Sequence, residues 1–521
     1  MVISRFTSYK ATQHLKHLAL EPFDLATPNA LTPSRIEHFV LEGVGFKLFY
    51  ATERVTDNVM DSLYELAEES GALHEMERMQ AGEVMNCIHG YPSENRAVLH
   101  TSLRDFFDVP QTSKTSMEAT RLAKVECDKL QNFLPDLQAF NTLVIIGIGG
   151  SELGPKALYL ALEAYKEASK KVEFLGNVDP DACVQLFSSL DLTETLVCVV
   201  SKSGTTLETA TNEAFARSLF EAQGINSDKH FIAITGEGSP MDDPQKYLKS
   251  FYIWDWIGGR YSGSSIIGGV IIAFACGFDT YMEFLKGAHA MDQNALSKDL
   301  RKNLPLLGAL LGIWNHNFLG IQTSAVIPYS QPLWRFSAHL QQLDMESNGK
   351  QTDRQGQFVD HATGPIIWGE PGTNAQHSFY QLIHQGTVPI ALEMLGFKNS
   401  QLAQDFSFEG TTSQEKLLAN LIAQGIALAS GQKNDNPNKV FLGNRPSYLL
   451  IGTQLTANAL GSLLSYFEHK AAFQGFIWNI NSFDQEGVQL GKILANKIMN
   501  CFSGTEAYPL GESYIKQLRN L

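Results

Sequence analysis

Two segments rich in glycine and hydroxyl side chains could hold a phosphate group. Residues 147–155 and residues 201–206 each follow an apolar run and precede a helical stretch. The main-chain N–H groups at the start of a helix attract anions, and glycine lets the main chain approach a ligand closely. One Ser or Thr is enough to cap a helix, whereas each oxygen of a phosphate monoester accepts several hydrogen bonds. Residues 201–206, with four hydroxyl side chains, therefore predict phosphate binding, while residues 147–155 alone could also form a tight turn without a ligand.

The spacing of residues 147–155 does not match the best-known nucleotide-binding loops. No Gly-Lys-Ser/Thr sequence follows, and the glycines depart from the GxGxxG pattern. No acidic residue ends the next predicted strand at a clear ribose-binding position. These departures argue against an NAD-dependent oxidoreductase.

Two charged residues in unusual surroundings could carry acid–base chemistry. Arg260 stands between glycines and an aromatic residue, which is unusual for a solvated surface, and a structural ion pair is the alternative interpretation. Glu346 follows the apolar residues Leu340, Leu343 and Met345. A carboxylate in an apolar setting holds a proton more tightly, which makes it a useful base near neutral pH. From the sequence alone, Glu346 could equally be a surface residue.

Two further candidates, His377 and Lys492, lie near the start of predicted helices. His377 follows a turn rich in Gly and Pro, and Lys492 comes one turn into a helix, where it could simply be solvated. His384 lies seven residues after His377 and could share its helix face, so a metal site has to be considered. No third ligand has a persuasive spacing and no HExxH motif occurs, so we expect no metal.

The chain that carries these residues is acidic and globular in composition. It has 521 residues, 44% of them hydrophobic, and a formal net charge of −15. Binding to nucleic acid or to an anionic membrane depends on clustered Lys and Arg, so we expect neither partner. The six cysteines are scattered and form no CxxC pair, and the N-terminus shows no apolar leader. Both features are typical of a protein in a reducing compartment, and we expect a cytoplasmic one.

The elements that must position the candidates are apolar strands that alternate with helices. Strands are predicted at 143–147, 196–200, 231–235, 324–328, 448–452 and 476–480, and helices near 155–169, 206–223, 332–342, 455–472 and 487–498. Continuous apolar strands between helices indicate parallel sheets that are covered on both faces. Because single cores stop growing beyond about 250–300 residues, two such units are expected.

The pattern divides the chain into four regions. We predict an N-terminal, mostly helical segment over residues 1–110 that packs on the second domain, with amphipathic spacing at 54–81. A first α/β domain is predicted over 111–282, a second over 283–505, and a C-terminal tail over 506–521. The stretch between 393 and 440 has little recognisable pattern. The predicted fold class is α/β, with two doubly wound α/β/α sandwich domains, parallel-rich sheets and N-terminal helices.

The motifs together resemble those of the glucose-6-phosphate isomerase family. The resemblance runs from about Gly82 to Lys492 and includes further stretches at 96–100, 287–292, 364–369 and 468–470. Each motif alone is weak, but the complete set in order is specific. The family's fold has two sugar-isomerase (SIS) type domains, in agreement with the two predicted units. The resemblance implies reversible aldose–ketose isomerisation of glucose 6-phosphate and fructose 6-phosphate, with no metal and no redox cofactor.

The resemblance also implies a role for each matching residue. Glu346 would move a proton between C2 and C1, Arg260 would lie beside the enediolate, and His377 and Lys492 would open the sugar ring. The substrate-binding residues would be Gly150, Ser151, Ser201, Lys202, Ser203, Thr205, Thr206, Gln342 and Gln485. The family implies a homodimer in which His377 reaches the site of the neighbouring subunit.

Three residues depart from the family pattern. Glu486 stands where a Trp is common, Gln489 where a Glu is common, and Gly263 where many members carry a bulkier residue. None of these changes removes a proposed catalytic group, but Glu486 could alter the charge near Lys492.

Two alternatives stay open at this point. A sugar-phosphate sensor of the same fold would bind substrate without chemistry, and it would have lost one of the four catalytic candidates, all of which are present. Additional activity on mannose 6-phosphate is also compatible with the motifs, because C2 epimers differ only in the face that carries the proton.

Overall fold

The computed structural model describes residues 5–107 and 113–521. The chain forms two compact units, Met1–Ser482 and Phe483–Leu521. The strands are β1 Val40–Gly43, β2 Phe46–Phe49, β3 Val84–Asn86, β4 Arg96–Ala97, β5 Thr142–Ile146, β6 Lys171–Leu175, β7 Thr195–Ser201, β8 Phe231–Thr235, β9 Lys249–Tyr252, β10 Thr323–Pro328, β11 Ile366–Trp368, β12 Ala391–Phe397, β13 Ser407–Phe408, β14 Thr411–Thr412 and β15 Ser447–Gly452.

The helices flank these strands and fill both units. They are α1 Lys10–Leu18, α2 Pro33–His38, α3 Asp57–Glu69, α4 Ala72–Gln80, α5 Lys114–Phe133, α6 Leu153–Leu162, α7 Pro180–Ser188, α8 Leu207–Ala222, α9 Ile266–Cys276, α10 Phe278–Ala295, α11 Leu304–Ile313, α12 Phe336–Leu340, α13 Gly372–Gln376, α14 Tyr380–Gln385, α15 Ser413–Ser430, α16 Ala457–Trp478, α17 Gln489–Ser503 and α18 Pro509–Leu518. The second unit contains α17 and α18, and all of the labelled strands lie in the first.

The first large sheet has five parallel strands in the order β6-β5-β7-β8-β9. Every residue of β7 and β8 is buried, as expected for parallel strands covered on both faces. The predicted strands at 143–147, 196–200 and 231–235 correspond to β5, β7 and β8. The edge strands β6 and β9 are only partly buried, and their mixed composition explains why the apolar pattern did not reveal them.

The second large sheet has six strands in the order β1-β2-β15-β12-β10-β11. Its strands β15, β12, β10 and β11 are parallel to one another, which confirms the α/β class with parallel-rich sheets. Strand β12 is buried at every position and lies near the middle of the sheet, although its segment had no recognisable pattern.

The N-terminal segment is less helical than predicted, because it also supplies the β1–β2 hairpin. This hairpin extends the second sheet, with β2 antiparallel to β15. The amphipathic stretch at 54–81 forms two helices, α3 and α4, separated at Gly71, whose φ of 67° favours glycine. The segment also contains the short antiparallel pair β3–β4, so the predicted N-terminal helices exist but four strands accompany them.

The predicted strand at 476–480 is wrong. Residues 476–478 are the last residues of α16. The helix ends at Asn479, which has the left-handed backbone conformation with φ 58°. Almost all of α16 is buried, so its apolar run does not distinguish a strand from a helix. The other predicted strands and helices all correspond to observed elements.

Helices α10 and α16 pack closely against each other within the first unit. A Cβ on Gly287 would lie 1.8 Å from the carbonyl oxygen of Asn458, and a Cβ on Gly461 would lie 1.9 Å from that of Phe284. Both glycines are therefore required by the close approach of the two helices. The predicted boundary at 282/283 falls inside α10, and the one at 110/111 lies outside the described residues, as do Met1–Ser4.

Two chain-wide features bear on the expected surroundings of the protein. All six cysteines are free thiols, four of them buried. Among residues 5–107 and 113–521, no helix has the length and apolar character needed to cross a membrane.

Candidate active site

Arg260 and Glu346 form an ion pair at the centre of the candidate site. The Nη1 of Arg260 donates a hydrogen bond to Oε1 of Glu346 over 3.1 Å. Arg260 belongs to the short helical turn Gly259–Tyr261, which follows the first sheet. Glu346 ends the π-helical segment Gln341–Glu346, which follows α12. The fold thus brings together two predicted catalytic residues that lie 86 positions apart.

The guanidinium of Arg260 is almost fully buried and is held from several sides. Its side chain is 1% exposed, its Nε donates to Oγ of Ser347 at 2.7 Å, and its Nη2 donates to the carbonyl oxygen of Ser482 at 2.7 Å. A buried cation is tolerated when its N–H groups find acceptors. These contacts leave the guanidinium little freedom to turn.

The carboxylate of Glu346 is partly exposed and hydrogen-bonded on both oxygens. Its side chain is 25% exposed, and Oε2 accepts a hydrogen bond from Nε2 of Gln342 at 2.9 Å. The apolar surroundings expected from Leu343 and Met345 are not what the carboxylate meets, since a charged and a polar side chain contact it. Each carboxylate oxygen has more than one acceptor direction, so Glu346 can still receive a proton from a substrate.

The glycine-rich turn before α6 packs against the turn that carries Arg260. A Cβ on Gly150 would lie 2.2 Å from the carbonyl carbon of Gly259, and Oγ of Ser262 donates to the carbonyl oxygen of Gly150 at 3.2 Å. Gly149 has φ 60°, and a Cβ there would lie 3.5 Å from Nε2 of Gln342. The glycines therefore serve the contact between two main-chain turns, and this contact holds Gly150 against the turn that carries Arg260.

The hydroxyl side chains from the end of β7 to the start of α8 form hydrogen bonds with one another. Oγ of Ser201 lies 3.0 Å from Oγ1 of Thr206, and Oγ of Ser203 accepts from the main-chain N and Oγ1 of Thr205 at 3.2 and 2.9 Å. No side chain caps the start of α8. Simple helix capping therefore does not account for these hydroxyls, which favours the predicted phosphate site.

Lys202 links the hydroxyl-rich loop to the segment before Arg260. Its Nζ donates to the carbonyl oxygen of Ile257 at 3.0 Å. Burial lowers the pKa of Lys202, and the carboxylate of Asp255 opposes that effect. The ammonium group is thus held close to the turn that carries Arg260.

His377 lies apart from the hydrogen bonds that join Arg260, Glu346 and Gln342. It directly follows α13, at the end of the predicted Gly- and Pro-rich turn, and its side chain is exposed. The ring of His384 has a separate partner, Oε1 of Gln424 at 2.8 Å from Nε2. In the parts of the chain that the structure describes, no three His, Cys, Asp or Glu side chains are grouped as metal ligands.

Gln485 and Lys492 belong to the second unit. Gln485 is half-buried, and Lys492 is exposed in the first turn of α17, as the sequence predicted. Glu486 is also exposed, at the start of the short turn Glu486–Val488. Large apolar side chains on α17 and α18 are exposed as well: Leu490, Ile493, Phe502, Leu510 and Tyr514.

Two residues of the site, Ser347 and Tyr261, had no role in the sequence-based prediction. The hydroxyl of Tyr261 lies 3.0 Å from Oγ of Ser347, and both residues are buried. Each directly follows a predicted catalytic residue, Glu346 and Arg260 respectively. Their adjacency to those residues was the only available signal.

The chain resembles known proteins along almost its whole length. Residues 49–509 match the family model described as phosphoglucose isomerase. The glucose-6-phosphate isomerase of Protochlamydia amoebophila (strain UWE25) is 55% identical over 525 residues, covering 99% of this chain and 97% of that protein. The glucose-6-phosphate isomerase of Chlamydia pneumoniae is 52% identical over 504 residues, covering 96% of each. The crystal structure of a glucose-6-phosphate isomerase from Chlamydia trachomatis superposes with a TM-score of 0.96, at 47% identity and with 99% of both chains covered.

Proposed function

Because the chain belongs to the phosphoglucose isomerase family, we propose that it reversibly converts D-glucose 6-phosphate into D-fructose 6-phosphate. It is an aldose–ketose isomerase, an enzyme of glycolysis and gluconeogenesis. The observation that carries this function is the pairing of Glu346 with the buried Arg260 at 3.1 Å. A carboxylate base and a fixed cation are the two groups that an enediolate route requires.

Glu346 transfers the proton in this reaction. In the direction from aldose to ketose, its carboxylate removes the proton from C2 of the open-chain sugar phosphate and returns a proton to C1. The intermediate is a planar cis-enediolate, so one base on one face can serve both carbons. Gln342 donates to Oε2 of Glu346 at 2.9 Å and so orients the base, and it is also proposed to contact substrate.

Arg260 stabilises the charge that develops during proton transfer. As the C2 proton leaves, negative charge collects on the former carbonyl oxygen. A cation that is already oriented stabilises this charge without rearrangement, an effect worth about 10²–10³ in rate for a single preorganised group. The contacts of Arg260 with Ser347 and Ser482 provide that orientation.

The phosphate group of the substrate is proposed to bind to the loop between β7 and α8. Ser201, Lys202, Ser203, Thr205 and Thr206 offer hydroxyl, ammonium and main-chain donors in one short segment. Gly150 and Ser151 complete this part of the site. Local donors suit a chain whose net charge of −15 would otherwise repel an anion.

His377 and Lys492 are proposed to open the sugar ring, and Gln485 to contact the substrate. Hexose phosphates are mostly cyclic, so an acid and a base must act before the enediolate can form. These three assignments rest on the resemblance to the family. No metal or redox cofactor enters any of the proposed steps.

A homodimer in the cytoplasm is the proposed state of the enzyme. The exposed position of His377 suits a residue that acts in the site of a neighbouring subunit. Exposed apolar side chains on α17 and α18 are of the kind that a subunit interface covers. A fully active monomer of 57.6 kDa in solution would contradict the shared site.

The first test is turnover of fructose 6-phosphate by purified protein treated with a chelator. Glucose 6-phosphate formed is measured by its coupled oxidation. Rapid turnover is expected. Binding of sugar phosphate without turnover would instead indicate a sensor, and equal turnover of mannose 6-phosphate would broaden the substrate range.

A further inference from the structure

Arg260 and Tyr261, which are neighbours in the chain, contact a second pair of neighbours, Glu346 and Ser347. The side chain of Arg260 reaches both Glu346 and Ser347, at 3.1 and 2.7 Å, while the hydroxyl of Tyr261 lies 3.0 Å from Oγ of Ser347. From this arrangement we propose that Ser347 is a positioning residue for Arg260 and that Tyr261 acts through Ser347. The inference rests on the proposed isomerase function.

Ser347 determines which way the guanidinium of Arg260 faces. Its Oγ accepts the Nε–H, which lies on the edge of the guanidinium next to the aliphatic chain, and so limits rotation of the planar group. Nη1 is then directed at Glu346. Arginine donors have fixed angles to one another, so anchoring one N–H sets the direction of the others.

Tyr261 holds the hydroxyl of Ser347 in turn. Its side chain is 1% exposed, and its ring stacks on the imidazole of His100 with centroids 4.7 Å apart and planes at 28°. Burial raises the pKa of Tyr261 to about 12, so the phenol keeps its proton over the working range of an enzyme. Either hydroxyl can be the donor in the Tyr261–Ser347 contact, and in both cases the position of Oγ is restrained.

A positioning role differs from a purely structural one in its dependence on Arg260. Removing the hydroxyl of Ser347 leaves a buried Nε–H without this acceptor, and the guanidinium is expected to turn towards another one. The substrate phosphate loop lies in a different segment, so substrate binding is expected to change little. Removing the Ser347 hydroxyl should therefore lower kcat. In a protein that already lacks the Arg260 side chain, the same change should not lower kcat further.

The experiment compares Ser347→Ala and Tyr261→Phe, alone and combined, with two matched controls. Ser337→Ala removes another buried hydroxyl, which donates to the carbonyl oxygen of Val326 at 2.9 Å. Tyr281→Phe removes another buried phenol oxygen, which donates to the carbonyl oxygen of Ser264 at 3.1 Å. For each variant, kcat and KM for fructose 6-phosphate and the thermal midpoint are measured.

We expect Ser347→Ala to lower kcat about ten- to a hundredfold with little change in KM, as for the loss of a preorganised charge partner. Tyr261→Phe should lower kcat less, the combined variant should equal Ser347→Ala, and neither control should lower kcat. In an Arg260→Ala background, Ser347→Ala should cause no further loss.

Three results would overturn the proposal. These are an unchanged kcat in Ser347→Ala, an equal fractional loss in the Arg260→Ala background, and strictly additive effects of Ser347→Ala and Tyr261→Phe. If Ser347→Ala does not fold, Tyr261→Phe decides, because a normal kcat there would refute the link. A wild-type protein without turnover would overturn the proposed function and this inference together, whereas an active wild type with an unaffected Ser347→Ala variant would overturn the inference alone.

Discussion

Gly150 and Gly259 lie so close that a Cβ on Gly150 would stand 2.2 Å from the carbonyl carbon of Gly259. One glycine belongs to the turn after β5, and the other begins the turn that carries Arg260. Because the obstructing atoms are main chain, they cannot move aside as a flexible side chain would. The absence of a side chain at position 150 is therefore a condition for placing Arg260.

A methyl group at this position should disturb the site more than the fold as a whole. Gly150→Ala is expected to separate the two turns and to lower kcat for isomerisation by at least about tenfold, since small misplacements of catalytic groups have large effects. Gly43→Ala is the control, because a Cβ there would meet only the amide nitrogen of Asn294 at 3.7 Å. Full activity of Gly150→Ala would show that the turns can adjust.

Glu346 is expected to be the only base that exchanges the C2 proton. Glu346→Gln keeps the size of the side chain but cannot accept the proton, so exchange of that proton with solvent should nearly vanish. Binding of a sugar-phosphate inhibitor should stay largely intact, because the proposed phosphate-binding loop after β7 is unchanged. The reaction is run from glucose 6-phosphate in deuterated water, and exchange is measured as deuterium at C1 of the fructose 6-phosphate formed. Exchange close to the original rate would mean that another base is at work.

Gln342 is expected to support catalysis through its bond to Glu346. Gln342→Leu removes the Nε2 donor that lies 2.9 Å from Oε2, which frees the carboxylate to turn. We expect kcat to fall about tenfold, as for a loss of orientation. The control is Gln381→Leu, which alters an exposed glutamine that bonds to Gln385. A raised KM with an unchanged kcat would instead assign Gln342 to substrate contact alone.

Glu53 should make the stability of the fold depend on pH. Burial, reinforced by the charge of Glu393, raises the pKa of Glu53 to about 8 from its ordinary 4.5, although a hydrogen bond from Asn315 opposes this. Between these two values the folded protein keeps a proton that the unfolded chain releases. The contribution to stability is therefore complete below about pH 4.5 and is lost as the pH rises to about 8.

Glu53→Gln should remove this part of the pH dependence. Urea unfolding of wild type and variant is compared at pH 6 and at pH 8.5, with the exposed Glu37→Gln as control. The free energy of unfolding should fall less with rising pH in Glu53→Gln than in the other two proteins. Parallel pH dependence in all three would show that Glu53 does not titrate in this range.

Several elements of the fold could be predicted because their own residues define them. Strands β5, β7, β8, β10 and β15 are short apolar runs between helices, and that pattern is local. Strand β12 escaped prediction because Glu393 interrupts its apolar run, and the carboxylate is tolerated only because Lys470, Tyr448 and Ser324 contact it in the folded chain. The apolar residues at 476–480 were wrongly predicted to form a strand, because a helix that is buried on all sides is as apolar as a central strand.

The family and its reaction could be inferred from the amino-acid sequence, because the motifs lie in short, contiguous segments in a fixed order. The folded chain was needed to show that Arg260 contacts Glu346, that Ser347 contacts both Arg260 and Tyr261, and that Gly150 packs on Gly259. These pairs come from segments 86 or more positions apart, and no local periodicity relates them. Such contacts depend on how the sheets and helices pack, and this packing is driven by the burial of apolar side chains from many parts of the chain.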